Sequence, residues 1–335
     1  MTPAISFIIP THNRAALLPA AIASARQAAL RVPLEIIVVD DASTDDTPQT
    51  CAALTGVTTL RLPVNQGLAS ARNAGIRAAS APLIAFLDDD DARLPGSLDL
   101  QAGRLEASPQ AALVYAQVEC LPNHTLWPPA LPEGDLFVPL LQSNFIPVTS
   151  VLVRRHALLA AGAFDSRLRE IEDWDLWLKI AARHPFVSIP SPVAQYTEAT
   201  AGSGQLSSNR IRMSLGCARV QNRALNSPRG RQLPQAQRDL LRTRLLRRQW
   251  FELTLAALVH LLTKPANLPA FRRHLITAFR LQPRHSLTNP AFRSLAKSLL
   301  RPAPAAELKS LRRAVYSDLA EFEDDLKNRP SFSLP

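Results

Sequence analysis

Four consecutive aspartates, Asp88, Asp89, Asp90 and Asp91, directly follow the apolar run LIAFL. Adjacent carboxylates repel one another unless a cation or solvent relieves them. Hard oxygen donors of this kind suit Mg²⁺ or Mn²⁺, which typically bind through one or two carboxylates and complete their shells with water and substrate phosphate. The competing reading is a solvated acidic turn that caps the next helix. A second acidic strand end, Asp40 and Asp41 in IIVVDDASTDDT, offers acceptor-only oxygens to a base imide N–H or a ribose hydroxyl. Its competing reading is a capped turn held by Thr44 or Asp45. The stretch NQGLASARNAG sets Gly67 before a helix and Arg72 within it. A guanidinium there pairs with phosphate or a base carbonyl, or simply decorates an amphipathic helix. Residues 170–180 place four acids beside Trp174 and Trp177; a carboxylate in a partly apolar wall is suited to base work, and an acid-rich helix start is the plainer alternative.

Bringing these groups together requires an α/β layout, and the chain carries its pattern. Residues 5–10 and 35–40 are short apolar runs flanking an Ala-rich helical stretch at 15–30, which reads as βαβ. A strand at 57–62, a helix at 68–79 and a strand at 83–87 continue the alternation. A mostly parallel, Rossmann-like sheet with helices on both faces is therefore expected. Ligands on such sheets sit at the carboxyl ends of the strands, where residues 11–14, 40–46 and 88–91 fall. Further on, Pro95 opens a helix; 112–116, 149–153 and 186–189 read as strands, and 154–161 and 171–183 as helices. The Pro-rich stretch 121–147 reads as irregular, and irregular segments of that length are often functional. The Gly- and Ser-rich residues 201–209 mark a boundary, giving domains at 1–205 and 206–335. The second is a series of helices at 234–263, 268–281, 290–300 and 305–327. In the last of these Leu308, Leu311, Val315, Leu319 and Phe322 form one apolar helix face.

Composition narrows the function classes. The 335 residues are 47% apolar and 20% charged, which excludes wholesale disorder. The net charge of +10 conceals a split of −6 over residues 1–200 and +16 over 201–335. The front suits a cation or polar ligand and the back a polyanion or an anionic membrane surface. Cys51, Cys120 and Cys217 form no CxxC pair, so neither a disulfide framework nor a zinc site is indicated and a reducing cytoplasm is the expected location. No basic leader with a cleavage site precedes the first apolar strand, so no secretory signal is expected. The apolar run at 250–263 is too short to span a bilayer. No GxSxG elbow, P-loop or GxGxxG is present, which removes the main support for serine hydrolase, P-loop and classical dinucleotide readings. The histidines show no metal-ligand spacing, and all but His12 read as structural. No nucleic-acid-binding module is recognisable.

In order and spacing, SFIIPTHNR, IIVVDDASTDDT, NQGLASARNAG, IAFLDDDDARLP and GAFDSRLREIEDWDLWLKIA resemble the inverting family 2 glycosyltransferases with a GT-A fold. The likeness covers about residues 5–200. It implies a nucleotide-diphosphate-sugar site in which Pro10, Thr11 and His12 border the base, Asp40 accepts its imide N–H and Arg72 helps hold the nucleotide. Asp88 and Asp89 would contact ribose or sugar, Asp90 would bind Mn²⁺ or Mg²⁺ bridging the diphosphate, and Asp173 would be the general base. Two departures stand out. His12 occupies a position where members often carry Tyr, and Tyr196-Thr197-Glu198-Ala199 replaces a YRxH-like segment, leaving closure of the site to residues 201–209.

The expected activity is metal-dependent transfer of a sugar, with UDP the leading nucleotide, to a saccharide or lipid-linked acceptor in surface-polysaccharide assembly. A sugar-phosphate nucleotidyltransferase is the competing enzyme, and it lacks its usual glycine-rich basic loop here. A non-catalytic nucleotide-sugar-binding protein is the third reading, opposed by the presence of both Asp90 and Asp173. For the basic C-terminal region the likeness gives no guidance. Arg238, Arg242, Arg244, Arg247 and Arg248 precede the run from Trp250, a layout suited to peripheral attachment at the inner, anionic face of a membrane. A helical appendage packed on its own core and an oligomerisation arm are the alternatives.

Overall fold

The structure is a computed structural model and describes residues 2–197, 210–263 and 268–289, with 292, 293 and 296. Its chain divides into two units, Met1–Leu206 and Ser207–Pro335. The front unit opens with β1 (Ile5–Thr11), α1 (Leu18–Ala28), β2 (Leu34–Asp40), α2 (Thr47–Ala53), β3 (Thr58–Arg61), α3 (Leu68–Ala78) and β4 (Leu83–Phe86). It continues with β5 (Ala92–Arg93), α4 (Ser97–Glu106), β6 (Leu113–Leu121), β7 (Thr125–Trp127) and α5 (Phe137–Gln142). It closes with β8 (Leu152–Arg154), α6 (Arg155–Ala160), α7 (Glu172–Ala181) and β9 (Phe186–Thr197).

The strands form one nine-stranded sheet ordered β3-β2-β1-β4-β8-β6-β9-β5, with β7 on β6. From β3 to β4 every ladder is parallel. Every residue of β1 is buried, as expected of a strand covered on both faces. On one face Ile5, Phe7 and Ile9 pack with Leu18, Ile22 and Ala25 of α1 and with Leu98 and Leu105 of α4. On the other face Ile8 lies against Gly75 of α3, and a Cβ at Gly75 would collide with the Ile8 side chain. Gly75→Ala should therefore destabilise the fold: overpacking costs about 1–3 kcal/mol, against a helix-propensity gain of about 1 kcal/mol. A lowered urea midpoint for this variant checks the point, and an unchanged or raised one contradicts it.

Beyond β4 the sheet is mixed rather than mostly parallel, because β8 runs antiparallel to both β4 and β6 and β5 antiparallel to β9. β9 also runs on to Thr197, well past the four residues expected, despite Pro190 and Pro192. Prolines are tolerated in strands at irregularities, and the β6 to β9 register shifts around Gln117, opposite Pro192. The expected strand at 149–153 divides into a 3₁₀ turn, Val148–Ser150, followed by β8. Within the supposedly irregular stretch 121–147 lie β7 and α5.

The second unit contains α8 (Arg210–Leu225), α9 (Pro228–Gln232), α10 (Gln235–Thr263), α11 (Leu268–Leu281) and α12 (Pro283–Thr288). Leu241, Leu245, Trp250, Phe251 and Leu253 of α10 are buried, as are Leu275 and Ala278 of α11. The Trp250 indole donates to Ser286 Oγ at 2.7 Å, and Gln249 donates to Gln221 at 2.8 Å. The start of the apolar run is thus core of this unit rather than surface available for insertion into a membrane. No helix of the described residues is long and apolar enough to cross a membrane. The expected helix at 305–327 and the loop at 201–209 lie outside the described residues, as does most of the helix at 290–300.

Candidate functional site

Parallel pairing brings the carboxyl ends of β1, β2 and β4 side by side: Thr11 is in register with Asp40, and Ile8 with Phe86. The acid run leaves β4 at this edge, and each of its aspartates meets a different partner. Asp88 accepts from Arg72 Nη2 at 2.5 Å, and Asp89 accepts from Thr11 Oγ1 at 2.7 Å. Asp90 lies 3.6 Å from Arg14 Nη1. Asp91 turns inward and accepts from Thr149 Oγ1 at 2.6 Å and from the Thr197 N–H at 2.9 Å. The Thr197 hydroxyl in turn donates to the Asp90 carbonyl at 2.6 Å, tying the end of β9 to the acid loop. Beneath it, Arg93 donates to Gln101 at 2.8 Å and Gln101 to the Ser150 carbonyl at 2.7 Å, which fixes the turn presenting Thr149. Burial holds Asp89 up at about 6, with Asp90 and Asp88 adding to the rise and the Thr11 hydrogen bond and Arg14 opposing it. Burial and the charge of Asp88 push Asp91 well above the carboxylate range.

Arg72 joins two distant pieces of sequence. The Gln66 and Gly67 N–H groups donate to Asp41 at 2.8 and 2.7 Å, and Gly67 takes the positive φ of +87° that this turn into α3 requires. From α3, Arg72 enters the interior at 1% exposure. There it donates to Asp88 and to Glu172 Oε1, each at 2.5 Å, and stacks 5.4 Å from the Phe164 ring. Burial alone would lower its pKa, but Asp88 and Glu172 more than offset this and raise it. Glu172 is itself held up at about 7 by burial, against the pull of Arg72.

Asp173 follows at the N-terminus of α7, half-buried. Both of its oxygens accept from Asn144 Nδ2 at 3.3 Å, and Oδ1 accepts from the Trp174 N–H at 2.6 Å. Its carboxyl is raised chiefly by burial, partly offset by Arg72 and these hydrogen bonds. A raised, oriented carboxylate in a half-open position is equipped to accept a proton.

The residues expected at the base end are more committed. Asp40 is 2% exposed; it accepts from the Ser43 N–H and from Arg61 Nη1, each at 2.9 Å. An imide N–H would have to use its remaining lone pairs. His12 Nε2 lies 3.0 Å from Asn65 Nδ2 and 3.2 Å from Asn13 Nδ2, and Pro10 is buried in β1. Thr11, Arg72, Asp88, Asp89 and Asp90 thus share one connected edge with Asp173, joined to it through Glu172. The sequence places Arg14 at a strand end within residues 11–14, Glu172 among the acids at 170–180, Asn144 in the stretch at 121–147 and Thr197 in the segment 196–199, but it does not report their partners, nor the bond from Thr149 to Asp91.

Among the described residues no group of three or more His, Cys, Asp or Glu could hold a metal by itself. Asp88 and Asp89 accept from Arg72 and Thr11, and Asp90 lies beside Arg14. One carboxylate, completed by phosphate oxygens and water, is an adequate donor set for Mg²⁺ or Mn²⁺ in a nucleotide site, so the residues fit such an ion. A cavity of about 160 Å³ adjoins them, lined by Leu17, by Ala20 and Ala21 of α1, by Asp89 to Ala92 and by Thr197.

Residues 6–165 match the model of Glycosyl transferase family 2, a stretch that includes the acid run and Arg72 and stops before Asp173. The succinoglycan biosynthesis protein ExoO of Rhizobium meliloti is 33% identical over 193 residues, 52% of this chain and 54% of the relative, so the chain spans about half the length of that relative. Residues 1–349 of TarS from S. aureus, solved with UDP, superpose with a TM-score of 0.63 at 19% identity, covering 95% of this chain and 91% of that one. The mannosyltransferase PcManGT of Pyrobaculum calidifontis, solved with GDP-Man and Mn²⁺, gives a TM-score of 0.55 at 20% identity over 95% and 88%. At these identities the structures establish a shared fold.

Proposed function

We propose that the chain, whose residues 6–165 match Glycosyl transferase family 2 and which has the α/β fold of GT-A glycosyltransferases, moves a sugar from a nucleotide-diphosphate donor to an acceptor hydroxyl with inversion at the anomeric carbon. UDP-sugars are the leading donors, and a saccharide or lipid-linked acceptor in surface-polysaccharide assembly is the destination. Support for the donor class comes from the UDP bound by TarS and the GDP-Man bound by PcManGT, and for the pathway from the succinoglycan role of ExoO. The observation that carries the reading is the Arg72 bridge, which ties Asp88 of the acid loop to Glu172, the residue before Asp173.

In this mechanism Asp173, oriented by Asn144 and the Trp174 N–H, takes the proton of the acceptor hydroxyl. The acceptor oxygen bonds to the anomeric carbon as the bond from that carbon to the diphosphate oxygen breaks, and the nucleoside diphosphate leaves with the electron pair. A Mg²⁺ or Mn²⁺ ion at Asp90 would neutralise charge on the leaving group. Thr11, through Asp89, and Thr197, through the Asp90 carbonyl, hold the loop in place. Calorimetry tests the assignment: UDP affinity should rise with Mn²⁺ over chelator by tenfold or more, and Asp90→Asn should abolish the gain with the fold intact. Equal affinity under both conditions sinks the metal assignment.

We propose further that the second unit attaches to anionic membranes by charge rather than by insertion. Each Lys or Arg near such a leaflet contributes about 1 kcal/mol, screened over roughly 8 Å at physiological salt. Binding of the full chain to phosphatidylserine-containing liposomes should be evident in low salt and largely lost at high salt. Flotation without any association in low salt contradicts this attachment.

A further inference from the structure

We infer that the Tyr196 hydroxyl binds the transferred sugar of the donor and so helps to decide which sugar the site accepts; this rests on the nucleotide-sugar reading above. Pairing of β6 with β9 fixes where the side chain stands: Cys120 is opposite Tyr196, and Leu121 is opposite Thr197. Successive side chains of a strand point to opposite faces. Gln195 and Thr197 share one face, and both line the cavity against α1. Tyr196 takes the other face, half-buried and packed on Val118, Cys120 and Ala194.

The backbone on either side of this tyrosine is tied to the acid loop. The residue after it, Thr197, donates its N–H to Asp91 at 2.9 Å and its hydroxyl to the Asp90 carbonyl at 2.6 Å. The residue before it, Gln195, is in register with Ala92, which follows Asp91 directly, and its side chain donates to Glu119 at 2.9 Å. The phenol is therefore carried beside the acid run on a strand held from both sides.

Its surroundings place the hydroxyl within reach of both ends of the site. Burial raises the pKa of the phenol, and the charges of Asp91, Asp88, Asp90 and Asp173 add to the rise, so it stays protonated and can donate. The acid loop is where the mechanism above puts the diphosphate, and Asp173 is where it puts the acceptor hydroxyl. What spans the interval between them during transfer is the sugar ring. Tyr115 has its hydroxyl committed to the Pro132 carbonyl at 2.6 Å, whereas Tyr196 has no such bond among the described residues. A protonated phenol can donate to a sugar hydroxyl, which both donates and accepts, while the ring offers apolar surface to its C–H groups.

A split between nucleotide and nucleotide sugar is the signature. Tyr196→Phe removes the hydroxyl and keeps the ring, so packing on Val118, Cys120 and Ala194 is retained and the urea midpoint should match wild type. Calorimetry on the full chain in excess Mn²⁺ compares UDP with UDP-glucose and UDP-GlcNAc, and GDP with GDP-mannose. In the variant UDP and GDP should bind as in wild type, while a nucleotide sugar that wild type binds should bind about fivefold to tenfold more weakly, as expected for one lost hydrogen bond. Equal losses for nucleoside diphosphate and nucleotide sugar assign Tyr196 to the shape of the acid loop and overturn the inference. So do unchanged affinities, including the case in which only the KM for the acceptor rises. Wild-type protein that binds UDP or GDP but none of these sugars also overturns it and leaves the nucleotide site standing. Failure of the wild-type protein to bind any of these ligands removes the nucleotide-sugar reading and this inference together.

Discussion

Replacing Asp173 by Asn is expected to lower turnover by about 10²–10⁴-fold, the usual span for a general base, with nucleotide-sugar affinity nearly unchanged. The substitution preserves size and keeps an oxygen to accept the Trp174 N–H, a bond of 2.6 Å in the native protein. What it removes is the ability to take a proton. Asn144, whose Nδ2 faces both Asp173 oxygens at 3.3 Å, would meet an amide and could keep only one bond, so a small loss of order at the α7 N-terminus accompanies the chemical defect. Steady-state kinetics with a competent acceptor separates the effects: kcat falls while donor binding by calorimetry does not. A variant that transfers sugar at near wild-type rate makes Asp173 structural and turns attention to Glu172 or Asp175.

Removing the guanidinium of Arg72 should cost the front unit much of its stability. Breaking a buried ion pair by deleting one partner typically costs about 3–5 kcal/mol, because the other charge is left uncompensated. In Arg72→Leu the stranded group is Glu172, which is buried and held up at about 7 even with Arg72 beside it. Without that partner its folded-state pKa climbs further, while in the unfolded chain it stays near an ordinary glutamate value. The folded variant then holds a proton that the unfolded chain releases, so stability is retained at acidic pH and declines as pH rises through the folded pKa. Urea midpoints should fall at every pH and fall furthest above neutrality, where wild type and variant diverge most. A variant as stable as wild type at pH 8.5 contradicts the bridging role.

These contacts mark the division between what the sequence discloses and what it withholds. β1, β2 and β4 are readable because buried parallel strands are unbroken apolar runs with polar residues at their carboxyl ends. α3 and α7 are readable from the turn residues and acids at their starts. The mixed half of the sheet is not, since the pairing of β8 between β4 and β6 is settled by contacts far apart in sequence, and the prolines of β9 locally argue against a strand. In the site, the acid run is legible as a strand end with a charge excess. The partner of Arg72 is not: Glu172 lies 100 residues away, and no local spacing reports it. Asp40 shows the converse case, because its bonds to Ser43 and Arg61 are a structural role that residue type alone does not report.

The proposed transfer requires a nucleotide diphosphate and a divalent ion to bind together at the β1 and β4 edge. Thermal unfolding of the full chain with a panel of nucleoside diphosphates and nucleotide sugars, each with and without Mn²⁺, addresses this directly. A ligand that binds only the folded protein raises its apparent stability by about 2.7 kcal/mol at a hundredfold excess over Kd. At least one nucleotide, with UDP and UDP-sugars foremost, should raise the transition midpoint by several degrees with Mn²⁺ and by little without it, and Asp90→Asn should remove the difference. No shift with any nucleotide in the presence of Mn²⁺, or equal shifts with metal and with chelator, would contradict the account.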